Sequence, residues 1–316
     1  MKLPIFLLSI FVVSSSACLA KLSIKETAKG IEISNDGQQV LFYHKAIMPP
    51  PEGQPKYYER SGFIHPLCSP SGGVLTGIHP ADHIHHMGLW HAWVETEYDG
   101  RNLDFWNLDE QTATIRYART LNIIENKNRV GFKVRQNHVA LAKDGHSEEV
   151  ILEEDFTILV GLRQGTYFID HRTEQTNVAR HALELPAYRY GGPLAYRCPP
   201  TWNKDNSGYL TSTGLGRDGH ATRADWCAVW GPTEEGNATL VFMGRPDNRD
   251  APQRMRIWPE TTNNGAVFFN WVPIQEFAWS LEPGVKHEFN YRLLVFDGKP
   301  DQSKIEQAWK AYSKPK

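Results

Sequence analysis

The sequence predicts an all-β protein, a large antiparallel β-sandwich carrying one C-terminal helix. Three observations predict it. Short stretches in which apolar and polar residues alternate recur along the chain, Gly, Pro, Asn and Asp separate them, and a helical period emerges only in the last fifteen residues or so. With 316 residues, of which 41% are hydrophobic, there is enough apolar material for two sheets to bury their inner faces against each other.

The first element is a leader. Lys2, the apolar run Ile5 to Val13 and the small residues Ser14 to Ala20 have the order of a secretory signal peptide, and the run is too short to span a bilayer. Cleavage after Ala20 leaves residues 21–316 as the mature chain. Ser15-Ser16-Ala17-Cys18 loosely resembles a bacterial lipobox, so a lipid anchor at Cys18 is the second reading. In both readings the protein is expected in the periplasm or secreted, and no later stretch is expected to form a transmembrane helix. No linker, charge block or repeat divides residues 21–316, which reads as a single sandwich domain; a barrel or two smaller sandwiches are the alternative layouts.

Strands are expected over residues 22–26, 30–34, 40–44, 112–119, 130–139, 150–160, 166–175, 226–230, 238–243 and 266–271. The clearest is near the C-terminus, where Phe289, Tyr291, Leu293 and Val295 alternate with Asn290 and Arg292, one face apolar and the other largely polar. The closing helix has Asp301 as its N-cap and Ile305, Trp309 and Tyr312 along one face. Cys68, Cys198 and Cys227 cannot all pair, and they read as buried thiols that pack as small hydrophobes; one disulfide plus a free thiol is the alternative.

Charge narrows the function. With 34 basic against 36 acidic residues the formal net charge is −2, which argues against nucleic acid as a partner. The unusual feature is histidine: six of thirteen lie between residues 65 and 91, namely His65, His79, His83, His85, His86 and His91. Pro80 and Gly88 bracket a turn, and Leu89 onward reads as a strand entering the core, so the imidazoles gather where a loop meets a sheet.

Three chemistries suit that cluster. As metal ligands, His83 and His85 would project to one side of an extended segment, with Asp82, His79 or His91 completing a site for a divalent transition metal. As acid and base, His85 or His86 would move a proton beside a sugar stacked on Trp90 or Trp93. As structure, the rings would bond loop carbonyls. Asp104 is the candidate to orient a histidine, and Glu276 a candidate catalytic base. Tyr188 and Arg189 could bind hydroxyls or a carboxylate, and Asn248 and Arg249 could grip adjacent hydroxyls. Phosphate loops, Gly-x-Ser-x-Gly elbows and spaced Cys pairs are absent from the sequence.

His65-Pro66, Ser69-Pro70-Ser71-Gly72, the run Asp82-His83-Ile84-His85-His86-Met87-Gly88-Leu89-Trp90 and Asp104-Phe105-Trp106 together resemble an exported bacterial family of unknown function, formerly labelled methane oxygenase PmoA-like. Tyr190-Gly191-Gly192, Pro246-Asp247-Asn248-Arg249 and Tyr291-Arg292-Leu293-Leu294 extend the resemblance over nearly all of the mature chain. Ile84 and Met87 depart from the family's frequent Pro and Arg without losing a histidine. The old label implies membrane helices that this chain lacks after its leader. The resemblance implies a galactose mutarotase-like supersandwich, a place among glycan-degrading systems and a carbohydrate ligand, and it assigns no catalytic residue. The expected function is therefore a carbohydrate-processing enzyme using His and carboxylate groups for anomer interconversion, elimination or hydrolysis. A non-catalytic glycan binder, or a metal-assisted enzyme acting on keto-sugar glycosides, is the alternative.

Overall fold

The computed structural model describes residues 21–315, so the expected leader and the expected lipid anchor at Cys18 lie outside the described residues. In chain order the strands are β1 (Leu22–Glu26), β2 (Gly30–Asn35), β3 (Gln38–His44), β4 (Phe63–Leu67), β5 (Leu89–Ala92), β6 (Thr96–Tyr98), β7 (Arg101–Leu103), β8 (Ala113–Glu125), β9 (Arg129–Ala140) and β10 (Glu149–Arg163). They continue with β11 (Thr166–Asn177), β12 (Leu183–Leu185), β13 (Gly192–Arg197), β14 (Gly208–Thr211), β15 (Trp226–Thr233), β16 (Gly236–Gly244), β17 (Arg254–Ile257), β18 (Phe268–Val272), β19 (Trp279–Leu281) and β20 (Lys286–Asp297). The helix α1 (Gln302–Tyr312) follows.

Two eight-stranded sheets form the body. The first runs β1-β2-β3-β4-β5-β13-β18-β17, the second β14-β15-β16-β20-β11-β10-β9-β8, and β19-β12-β6-β7 make a smaller third sheet. The paired strands within the sheets are antiparallel, so period-two alternation decides which side chains enter the core. Tyr196 of β13 and Phe269 of β18 pack on Phe242 of the second sheet, at ring separations of 5.3 and 4.5 Å. Their neighbours Arg197 and Phe268 therefore project from the opposite face of the first sheet. The same rule sends Met255 and Ile257 of β17 inward and Arg254 and Arg256 outward.

A polar bridge crosses the interior between the sheets. Glu154 of β10 accepts hydrogen bonds from Nδ1 of His91 (2.9 Å), Nε2 of His138 (3.0 Å) and the Thr173 hydroxyl (2.6 Å). Two residues along, Trp93 donates its indole N–H to Gln175 at 2.9 Å. Burial without partners would cost several kcal/mol per group, so these bonds are what permit polar residues here.

Asp301 caps α1 by accepting from the Lys304 amide at 3.0 Å. Ile305 and Tyr312 pack with Trp226, Val241, Leu294 and Phe296 on the outer face of the second sheet. This explains why β20, amphipathic along most of its length, is buried on both faces near its end. Cys68, Cys198 and Cys227 are free thiols, all buried, and burial raises each above its usual range. Among the described residues no helix is long and apolar enough to cross a membrane.

Candidate functional site: a histidine cleft on the outer face of the first sheet

The histidine loop is a closed hairpin between Gly77 and Gly88. Gly88 N–H donates to Gly77 O (2.9 Å), His79 N–H to His86 O (2.9 Å), and His86 N–H to His83 O (2.9 Å). Gly88 holds φ at +65°, and a Cβ there would lie 2.3 Å from the Ile64 carbonyl oxygen, so only glycine lets the loop re-enter β5 beside β4. His79 bonds the Ile84 carbonyl through Nδ1 at 2.8 Å and His65 bonds the Thr76 hydroxyl at 2.9 Å. These two histidines are structural.

His83, His85 and His86 open into a cleft of about 170 Å³ whose other walls are Trp106, Asn107, Arg189, Tyr190, Arg256, Trp258 and Phe268. Small-molecule sites commonly fill ~300–1,000 Å³, so this cleft suits one ring-sized group. Larger grooves flank α1, but the imidazole cluster does not open there. The rings stack in order: His83 lies 4.8 Å from His86 and 4.8 Å from Trp258, and His86 lies 5.1 Å from Phe268. The wall is thus aromatic, with polar edges.

His83 is the histidine of the cleft whose tautomer a carboxylate fixes. Its Nδ1 lies 2.9 Å from Asp82 Oδ2, and a carboxylate accepts, so Nδ1 carries the proton and Nε2 keeps its lone pair. Asp82 is fixed in turn by Arg197 Nη2, 2.8 Å from each carboxylate oxygen. Burial pushes the Asp82 carboxyl up, but the Arg197 charge and the bonds from His83 and Arg197 outweigh it and hold the group below its usual range. Arg197, only 3% exposed, leaves the core on the outward face of β13 and lies 4.7 Å from the Trp258 ring.

The expected proton carriers behave differently. Burial, then the nearby His83, pushes His85 down to about 3, so across the neutral range it is an uncharged imidazole with one N–H donor and one acceptor nitrogen. His86 is 1% exposed, is held well below its usual value by burial first and His85 next, and its Nδ1 has no partner. It forms wall rather than donor. As a metal pair, His83 and His85 sit edge to face at 5.6 Å, and Asp82 already engages the His83 Nδ1. The His, Cys, Asp and Glu donors that converge within 4.8 Å of one another are His91, His138 and Glu154, sealed between the sheets. Among the described residues, the cleft does not bring three such donors together.

Several expected site residues lie elsewhere. Trp93 is 1% exposed and faces the sheet interface, so its ring is no sugar platform. Trp90 is buried beneath the cleft, 4.9 Å from His86 and 5.1 Å from Trp106, and supports the wall from behind. Asp104, 5% exposed, orients no histidine: it accepts from the amides of Trp106 (2.8 Å) and Asn107 (2.7 Å) and from the Asn107 side chain (2.7 Å). Since the Asn107 Nδ2 also donates to the Tyr190 hydroxyl at 3.1 Å, the side chain offers the cleft its carbonyl oxygen. Glu276 is exposed and held by Arg223 (2.8 Å) and Arg254 (3.0 Å), outside the cleft lining. Asn248 clamps the backbone of Asn290 through both side-chain atoms, at 2.8 Å each, and Arg249 lies on Trp279 at 4.5 Å. Arg189 does line the cleft, while Tyr188 stands behind it, 4.9 Å from Tyr190.

Sequence reasoning missed Trp106, Asn107, Tyr190, Arg256, Trp258 and Phe268 as lining residues. Tyr190 sat inside a motif already singled out and Asn107 directly follows another, Asp104-Phe105-Trp106; Arg256 had only the alternation of β17 to announce its outward direction, and Trp258 had no local signal.

The fold and cleft define a class: an antiparallel β-sandwich with an imidazole-lined aromatic cleft on the outer face of one sheet. Residues 30–310 match the model of a family of unknown function, DUF6807, and the chain belongs to that family. No curated protein matches the sequence. Among solved structures, the chain is similar to a galactose mutarotase related enzyme from Lactobacillus acidophilus (10% identity, TM-score 0.42, covering 89% of this chain and 99% of that one). It is also similar to a polysaccharide lyase (10% identity, TM-score 0.34, 89% and 32%). A third is a GH36 alpha-galactosidase from Geobacillus stearothermophilus (10% identity, TM-score 0.35, 88% and 38%).

Proposed function

We propose that the protein is an exported enzyme that binds a sugar in this cleft and rearranges or cleaves it by proton transfer at His83. The observation that carries the reading is the Arg197–Asp82–His83 relay, in which a carboxylate fixes the imidazole tautomer and leaves Nε2 free to take a proton. The aromatic wall of Trp106, Tyr190 and Trp258 supports the choice of sugar, because the C–H faces of a pyranose pack on such rings while Asn107 and His85 accept from its hydroxyls. The export part of the reading rests on the leader-like first twenty residues.

The cleft also narrows the reaction. Hydrolysis by the usual pair of carboxylates needs two carboxyl groups flanking the bond, and none of the described lining residues carries one. Isomerisation or elimination, each requiring one base and a way to return a proton, fits the groups present. In the test, wild type and His83→Gln are incubated with oligosaccharides and their products followed by mass spectrometry. Turnover should fall about 10²- to 10⁴-fold with binding retained. Unchanged turnover in His83→Gln would sink the assignment of the base, and binding without turnover in the wild type would make the protein a glycan binder.

A further inference from the structure

Resting on the sugar reading above, we infer that the cleft is built for an acidic sugar, a uronate whose carboxylate is received between Arg189 and Arg256. Arg256 projects outward from β17 by the alternation that sends Met255 and Ile257 into the core, and Arg189 reaches the same cleft from the segment before β13. Neither guanidinium makes an ion pair with a carboxylate among the described residues. Arg256 has only the His220 Nε2 at 3.4 Å, and Arg189 rests over the rings of Tyr188 and Tyr190 at 5.8 and 5.4 Å.

The neighbouring arginines differ. Arg254, two residues away on the same face, is bound to Glu276, Arg223 to Glu276 and Asp250, and Arg197 to Asp82. On this face the acids are matched to those arginines, and the two that reach the cleft are left over. Half-burying a guanidinium beside a second one is unfavourable without an anion: burial, then the like charge of Arg189, pulls Arg256 below its usual range. The lining contains two cations, three imidazoles and no carboxylate, which repels cationic ligands and wastes its charge on neutral ones. A planar guanidinium fork matches a carboxylate in geometry, and one half of the cleft, aromatic, would then hold the ring while the other holds its acid.

The test is a binding screen against neutral, uronate-bearing and sulfated oligosaccharides, followed by calorimetric titration of the strongest uronate and its neutral counterpart at low and high salt. The expected result is tighter binding of the uronate, weakened by salt. Arg256→Gln and Arg189→Gln should each lose about 10- to 100-fold of uronate affinity with the neutral sugar little changed, and Arg256→Lys should lose less. His83→Gln should keep the preference. Equal affinity for neutral and acidic sugars would overturn the inference while leaving the sugar reading intact. Preference for sulfate esters over uronates would overturn the carboxylate, and a protein that binds no saccharide of any class would overturn both readings.

Discussion

Asp82 sets the geometry of the histidine loop, because it is bonded at once to His83 and, through both carboxylate oxygens, to nearly buried Arg197. Removing its charge has two separable effects. Asp82→Asn leaves the Arg197 guanidinium without its counter-ion, which should cost about 2 kcal/mol, read as a lower urea midpoint. It also lets the His83 ring turn, so turnover should drop, though by less than in His83→Gln, where the base itself is gone. A variant as stable as wild type would show that the Asp82–Arg197 pair is solvated and idle. By contrast, Glu276→Gln, which alters an exposed carboxylate outside the cleft lining, should leave turnover unchanged, and a large loss there would displace His83 from its role.

At the scale of elements, the loop between β4 and β5 depends on one residue. Gly88→Ala puts a methyl against the Ile64 carbonyl at a positive φ, so the hairpin must shift; a loss of about 1–3 kcal/mol is expected, with weaker sugar binding because the His83–His86 stack moves with it. Asp301→Ala removes the cap of α1 on the other sheet and should cost about 1 kcal/mol while sugar binding is unaffected. Thermal melts paired with binding titrations separate the two. The same elements show what could be read from sequence. Alternation announced the long strands, and Asp301 with Ile305 announced the helix, because both signals are local. The histidine loop was legible as a cluster, yet which imidazole has its tautomer fixed was not: His83 differs from His86 in its bond to an Asp82 that remote Arg197 holds in place, and in being less deeply buried by remote strands. Trp90 and Trp93 carry a lesson that was available. Three residues apart on an extended chain, they must face opposite sides of the sheet, so they could not both be platforms. Arg256 and Trp258 enter the cleft from beside β18, some 170 residues after the loop, and only the sheet order β5-β13-β18-β17 brings them there.

On the scale of the whole molecule, buried imidazoles make the fold acid-sensitive. Burial pushes His65, His138 and His171 down to about 4 and His85 to about 3, whereas in the unfolded chain each returns to its ordinary 6.5. The sign follows from proton counting: below pH 6.5 the unfolded chain binds protons that the folded one refuses. Stability is therefore complete above about pH 6.5 and is lost as pH falls toward 4, at up to about 1.4 kcal/mol per pH unit for each histidine. Glu154 works in the same direction at lower pH. Burial opposes its charge, but His91 and His138 outweigh that and hold it well below its usual range, so protonating it dissolves the bridge between the sheets. Set against a typical total of ~5–15 kcal/mol, four such histidines should bring acid unfolding near pH 5. Calorimetry in buffers of different ionisation enthalpy would read the proton balance directly, with roughly three to four protons taken up on unfolding at pH 5 and close to none from these histidines at pH 8. A melting temperature that stays level from pH 7 to pH 5 would mean the interior imidazoles are already charged when folded, and the neutral wall assigned to His85 and His86 would go with them.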